Sequence, residues 1–418
     1  MKPFKSADVV IIGGGCMGTA CALFLAKRGL HVILCEMRNL GQGATGRNGG
    51  MVCELYGRMA MIGLVQPRKA LAEENRRLYI ELQNECEVDY HYQITGCLDI
   101  AATEEEYEEI KLTVDLQHFQ DDDGVQFLDR QQIREIIPAI NADMTFGARY
   151  RPNDGTIDSY KLSYAFARHA MGNGAEILMH TKVTEILKEN DRVKGVMTDK
   201  GYIAAKYVVN CMNAWSNQLS EECRDVMPTR SIVCVTEPLS LPKPTPTFEF
   251  PFNGDYAYAN FCNSGGNVVM GGSGFPLGHQ GYFNERMRIS EVGRLANHVA
   301  NIFPILRDAK IIRAWAGTIA LAPDGIELIG PSHITEGMYI ASGFGAGMSQ
   351  AAAVGQSIAQ FICNEPQAVD MEIFKVGRFL PEGTSWTEPH DLGVLLGDVL
   401  EVEKESTEAL IRRMQEKG

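Results

Sequence analysis

Residues 9 to 12 read V-V-I-I, with no polar position to break the run. A strand with one wet face would alternate, so an unbroken run predicts a strand buried on both sides, as in a parallel sheet. Four glycines then fall within residues 13 to 18, followed by "TACALFLAKRGL", apolar at helical spacing and closed by Gly29, which suits a left-handed C-cap. "HVILCE" repeats the buried-strand pattern and completes a strand–helix–strand unit at Glu36. Further on, "DGTIDSYKLSYAFARHAMGNGAEI" predicts a turn, an amphipathic helix with Leu162, Ala165, Phe166, His169 and Ala170 on one side, and a strand. "YVVNCMNAWS" reads as a returning strand and turn, and "GMYIASGFGAGMSQAAAVGQSIAQFI" as a strand, a Gly-rich turn and a helix packed through Ala351, Ala352, Ala353 and Gly355. Between these segments the pattern alternates, as in "NVVMGGSGF", and is broken by the proline-rich "LPKPTPTFEFP". In "ATEEEYEEI", Thr103 and Glu106 are spaced as a capping box on an acidic helix. The tail, "GDVLEVEKESTEALIRRMQEKG", is rich in helix formers of mixed charge. It reads equally as a solvated helix and as a docking element for another subunit.

The glycines carry chemistry. Gly13, Gly15 and Gly18 form G-x-G-x-x-G directly after a strand and at the start of a helix. They allow a tight turn, close backbone approach to a pyrophosphate, and close packing of helix on strand. Phosphates would lie at the helix N-terminus, where unpaired N–H groups and the dipole favour an anion. Glu36 follows Gly18 at a distance that suits an acceptor for a ribose hydroxyl. Together these predict a bound dinucleotide. A second loop, "GQGATGRNGGM" at 41–51, has the composition of a backbone wrapped around a ligand.

At 418 residues the chain is long enough for two domains. A hydrophobic share of 45% and a charged share of 22% are those of an ordinary globular enzyme. The net charge of −14 argues against nucleic acid and anionic membrane as partners. The 11 cysteines form no C-x-x-C pair, and several sit in apolar elements, a reduced and cytoplasmic pattern without a metal or disulfide framework. "DDDGV" at 121–125 reads as a solvated turn, so no metal is expected. No apolar run is long enough for a transmembrane segment.

The spacing of "GGGCMG", Glu36 and "GATGRNGG" is similar to that of the FAD-dependent D-amino-acid oxidase superfamily, in the branch of the sarcosine oxidase β-subunit, proline dehydrogenase and glycine oxidase. The resemblance continues to about residue 376. It implies a Rossmann-type α/β FAD-binding domain (1–88, 150–222, 311–376) interleaved with an α+β substrate domain on an antiparallel sheet (89–149, 223–310), and a C-terminal helical extension (377–418). It further implies FAD contacts at Gly13, Gly14, Gly15, Cys16, Met17 and Gly18, then at Glu36, Met37 and Arg38. In the second loop they fall on Gly43, Ala44, Thr45, Arg47, Asn48, Gly49, Gly50 and Met51, and later on Val183 and Gly317. The Gly-rich turn Gly345, Ala346, Gly347, Met348 and Ser349 would face the flavin N1–C2=O edge. A turn and helix dipole there would raise the flavin's electron affinity.

The chemistry implied is oxidation of the C–N bond of an amino acid or secondary amine (D-amino acid, N-methylglycine or proline-like) by hydride transfer to flavin N5. Two other readings stay open: oxidation of the C–O bond of a hydroxy acid, and an FAD-carrying subunit without its own substrate. Relatives commonly hold a substrate carboxylate with Arg or Lys aided by Tyr. Here Tyr256 and Tyr258 stand where an Arg is frequent, and Arg47, Arg149, Arg151 and Arg230 are the anchor candidates. Tyr256, Tyr258 and Arg47 are the expected catalytic residues; His279 is the one histidine in an expected active-site loop, where a surface placement is the favoured reading. Gly317 stands where some relatives bond flavin through cysteine, so FAD is expected to be non-covalent. Met348 and Ser349 stand where some oxidases carry Lys, which implies a dehydrogenase passing electrons to a partner subunit.

Overall fold

The computed structural model describes residues 3–53, 64–240, 246–252, 255–261, 265–272, 283, 285–378 and 407–416, with the side chains of 142, 251, 252, 255 and 256 left aside. His279 and the proline-rich 241–245 therefore lie outside the described residues.

The V-V-I-I run lies in the strand Lys5–Ile12, at the centre of an eight-stranded sheet. It pairs in parallel with Val32–Cys35 on one side and Gly201–Asn210 on the other, so Val9 to Ile12 have no wet face. Glu176–Leu178 extends the parallel set beyond Val32–Cys35, and Met338–Ser342 joins the far end of Gly201–Asn210. The returning C-terminal strand thus places its Gly-rich turn at the same sheet edge as the first glycine loop.

Helix Cys16–Ala26 is buried along its whole length. It packs against helices Ser159–Gly172 and Ala351–Cys363. A Cβ at Gly355 would come within 2.7 Å of Ala20, so the small-residue face is what permits this approach. A third helix, Val65–Glu85, packs on Ala351–Cys363, and the Asn75 Oδ1 accepts from the Ala352 N–H at 2.9 Å. The capping box at Thr103 and Glu106 opens helix Glu104–Phe119.

The second sheet also has eight strands, in the order Ile311–Leu321, Met227–Thr236, Val269–Gly272, Asp255–Asn260, Thr247–Phe252, Cys97–Ala101, Gly147–Arg151 and Gln126–Asp129. All neighbours are antiparallel except Thr247–Phe252 beside Cys97–Ala101, which run parallel. Alternation gives the sheet two faces. Leu98, Phe248, Phe250, Ala257 and Met270 join a core with Leu295 and Val299 of helix Ile289–Ile302. Their neighbours Asp99, Glu249, Tyr258 and Gly271 face the other way, towards the first domain.

Two placements differ from the sequence expectation. Ile311–Leu321, assigned there to the FAD-binding domain, hydrogen-bonds along its length with Met227–Thr236 in the second sheet. The strand Gly147–Arg151 crosses the expected boundary between residues 149 and 150. Both are consequences of pairing between distant segments, which local pattern does not encode. In the tail, residues 407–416 are helical, and Leu410 is buried in the core of the first domain with Met414 packed beside it. Among the described residues no helix is long and apolar enough to cross a membrane.

Candidate functional site

A cavity of about 680 Å³ runs between the edge of the first sheet and the inner face of the second. Its floor begins at the first glycine loop. Gly13 has φ of +107°, and a Cβ there would lie 2.7 Å from the Cys211 carbonyl oxygen, so only glycine fits. A Cβ on Gly14 would lie 2.8 Å from Leu40 and 2.9 Å from Glu36. Gly15, the N-cap of helix Cys16–Ala26, supplies no side-chain cap, and the Thr45 hydroxyl of the second loop accepts from the Cys16 N–H at 3.1 Å. Bare backbone N–H groups at a helix start are an anion site.

The Glu36 carboxylate ties this loop to the strand end. It accepts from the Gly14 N–H at 2.8 Å and from the Arg38 N–H at 2.7 Å. The Thr181 N–H donates to the Glu36 carbonyl at 2.9 Å, which brings Val183 to the same end of the cavity. At the other end stands the turn Gly345–Ser349. The Tyr79 hydroxyl donates to the Met348 carbonyl at 2.7 Å, and the Ser349 hydroxyl accepts from the Cys53 N–H at 2.9 Å. Asn213 fastens this turn to the Cys211–Met212 crossing: its Oδ1 accepts from the Phe344 N–H at 2.9 Å.

Of the residues expected to contact the cofactor, Gly18 and Gly50 stand behind the lining and the others line the cavity. Gly18 is where helix crosses strand, and any Cβ would strike the Gly13 carbonyl oxygen. Gly50 turns the chain at φ +71°, and a Cβ would lie 2.6 Å from the Ile157 carbonyl oxygen.

The second sheet provides the wall. Tyr258 lies in the lining, its ring pressed between Gly49 of the loop and Gly271 of the adjacent strand, both of which must lack a side chain to admit it. Tyr256 is on the same strand, opposite Pro251, and its side chain is outside those described. Arg47 also lines the cavity, but it is engaged: its Nη1 pairs with the Glu285 Oε2 at 2.7 Å and donates to the Ala316 carbonyl at 3.0 Å. The other three anchor candidates are away from the lining and paired. Arg149 binds Asp99, Arg151 binds Asp99, Asp154 and Glu249, and Arg230 binds Glu291 at 2.6 Å. The described residues thus leave none of the four arginines unengaged for a carboxylate. Lys69 and Lys161 are likewise elsewhere, on Asp122 and His91.

Sequence reading passed over Glu249, Cys53, Glu285, Trp215 and Phe283, all in the lining. Trp215 and Phe283 stack at 5.4 Å and 29°. The acidity of Glu249 is altered: burial and the nearby Asp99 raise its carboxyl to about 7 against the opposing pull of Arg151. The cavity thiols move in the same sense. Burial lifts Cys16 and carries Cys35 to about 12, and Cys53 is raised by its contact with Cys97 and by burial. The Asp122 of the acidic turn accepts from Gln117 at 2.7 Å and pairs with Lys69. The donor atoms of Cys97, Asp99 and Glu249 lie close enough together for a cation. The Arg151 Nη2 already contacts all three, at 3.1, 2.8 and 2.8 Å.

Comparison with known proteins matches residues 8–361 to the family described as "FAD dependent oxidoreductase" (DAO). The chain is 28% identical over 394 residues to the sarcosine oxidase subunit beta of Arthrobacter sp, covering 91% of this chain and 94% of that one. It is 25% identical over 388 residues to the mitochondrial dimethylglycine dehydrogenase of Rattus norvegicus, covering 87% of this chain but 44% of the relative. Among solved structures, the L-proline dehydrogenase from P. horikoshii aligns with a TM-score of 0.76 and 27% identity, covering 90% of this chain and 97% of that one.

Proposed function

The chain belongs to the FAD-dependent oxidoreductase (DAO) family, and from this we propose that it oxidises the C–N bond of an amino acid or secondary amine with non-covalently held FAD. The observation that carries the reading is the cavity itself. Bare glycine backbone and Glu36 stand at one end, the Gly345–Ser349 turn lies further along, and Tyr258, Arg47 and two carboxylates close the wall. The residues present fit FAD: the Gly13–Gly15 backbone lines the cavity at the start of helix Cys16–Ala26, where no side chain of Gly15 caps the helix and a pyrophosphate could approach the backbone.

In this reading the start of helix Cys16–Ala26 binds the pyrophosphate, Glu36 the ribose and the Val183 backbone the adenine. The turn Gly345–Ser349, which lines the cavity, would hold the flavin ring and would stabilise negative charge developing on it. When bound, FAD supplies a two-electron acceptor for the hydrogen leaving the carbon beside the substrate nitrogen. The protein then orients and desolvates: Tyr258 and the Trp215–Phe283 stack wall the substrate side, and Glu249 makes it hospitable to a cation. Non-covalent attachment is supported by Gly317 at the cavity wall and by cavity thiols held protonated, since the thiolate is the nucleophile. The free thiols at ten described cysteines also support a cytoplasmic setting.

The same lining supports a dehydrogenase. Ser349 and Met348 crowd the turn, and Lys69 and Lys161 are committed elsewhere. We therefore propose that electrons pass to a partner subunit, as the multi-subunit name of one relative suggests. Enzyme reduced anaerobically by its amine is expected to reoxidise faster with an artificial dye than with air-saturated buffer, and to release little peroxide. Peroxide formation at the dye-linked rate would contradict this.

A further inference from the structure

We propose that Glu249 receives the substrate's ammonium group in the cavity and takes up its proton. The inference rests on the amine-oxidising reading above and adds the residue that prepares the amine.

The argument begins with charge. Behind the cavity wall three carboxyl groups, Asp99, Asp154 and Glu249, meet two guanidinium groups, Arg149 and Arg151. Arg151 is 3% exposed in its side chain and Asp154 0%, so bulk water does little to screen the group. With every member ionised the cluster carries one negative charge in excess. Asp99 and Asp154 are held in place by arginines and do not line the cavity, whereas Glu249 does. Of the three carboxyl groups Glu249 alone lines the cavity, so a cation there meets the cluster at the Glu249 carboxylate.

Among the described residues, the neighbours of Glu249 come from three strands and the cavity wall. Across one strand is Tyr258, paired with it in register; across the other is Asp99, with Cys97 beside it. Arg151 donates to its Oε2 at 2.8 Å, and Cys53 lines the adjacent wall. The cavity's own guanidinium, on Arg47, is neutralised by Glu285 at 2.7 Å. Both guanidinium groups are thus already matched by carboxylates, Arg151 by Asp99, Asp154 and Glu249 and Arg47 by Glu285.

An amine enters near neutral pH as an ammonium ion, whose nitrogen has no lone pair to help a hydrogen leave the adjacent carbon. At Glu249 one N–H bond breaks, its electron pair stays on nitrogen, and the proton forms an O–H bond to the carboxylate. The transfer is redox-neutral and calls for no further reactant. A carboxyl raised to about 7 by burial suits this exchange, since it is close enough to the operating pH to accept a proton and to give it up again.

The test is a titration of FAD-loaded protein with tetramethylammonium, a cation with no proton to give, followed by the visible flavin difference spectrum. Because the carboxylate is populated above about pH 7, binding should be about tenfold tighter near pH 8.5 than near pH 6. Glu249→Gln should bind about tenfold more weakly than wild type at the higher pH and lose the pH dependence, while Glu249→Asp should recover it. A pH-independent affinity in the wild type would overturn the proposal, whatever the variants do. So would a Glu249→Gln protein that keeps both the affinity and its pH dependence. Failure of the underlying reading looks different: flavin bleached by hydroxy acids and by no amine.

Discussion

Gly18→Val is expected to be purified without colour, whereas the wild type is expected to be yellow. The reason lies in one crossing of helix on strand. A Cβ at residue 18 would run into the carbonyl oxygen of Gly13, with the Ile11 Cγ2 at 3.4 Å. Neither the carbonyl nor the central strand can give way without moving the loop that carries Gly13, Gly14 and Gly15. Overpacking of a rigid contact costs about 1–3 kcal/mol, and here the same shift would withdraw the N–H groups proposed to meet the pyrophosphate. Flavin content per chain, read from the visible spectrum, checks the prediction. Acid precipitation of the wild type should leave all flavin in the supernatant. A Gly18→Val protein with wild-type flavin content would refute the assigned role of this loop, and flavin retained on the precipitated chain would refute non-covalent binding.

Glu36→Ala should weaken FAD binding by about 1–3 kcal/mol, or roughly 5- to 150-fold, because it removes a charged acceptor from buried donors. Two of those donors are visible, the N–H groups of Gly14 and Arg38. The side chain therefore shapes the phosphate loop as well as standing ready for a ribose. Dialysis of the variant against buffer should strip FAD that the wild type retains. An unchanged dissociation constant would reduce Glu36 to a strand end. Thermal unfolding of the flavin-free forms separates loss of ligand contact from loss of fold.

What could be read from the sequence was local. The G-x-G-x-x-G turn, Glu36, the second loop and the Gly345–Ser349 turn are contiguous segments in which glycine spacing and apolar runs decide conformation, and all of them reach the cavity. The wall was less legible for a physical reason. Glu249 faces Tyr258 on one side and Asp99 on the other, residues brought together by a sheet that joins segments 150 positions apart. Register decides which face a strand residue presents, and a slip of one reverses it. Nothing near Glu249 in the chain announces a partner at Arg151. The same limit affected the arginines: each anchor candidate looked available until its carboxylate appeared, Glu285 for Arg47 and Glu291 for Arg230. That Ile311–Leu321 pairs with Met227–Thr236 was not legible either, because a strand's pattern does not name its neighbour. The tail helix showed its propensity in sequence, but not that Leu410 packs into the first core.

The most direct measurement of the central claim is anaerobic reduction of the purified yellow protein. Parallel cuvettes would receive D-amino acids, N-methyl amino acids, proline derivatives, simple secondary amines and 2-hydroxy acids, with the visible flavin band followed in each. The account predicts that at least one amine bleaches the flavin completely and stoichiometrically, and that the hydroxy acids do not. Bleaching by a hydroxy acid with every amine inert would contradict it, as would a protein that binds no flavin.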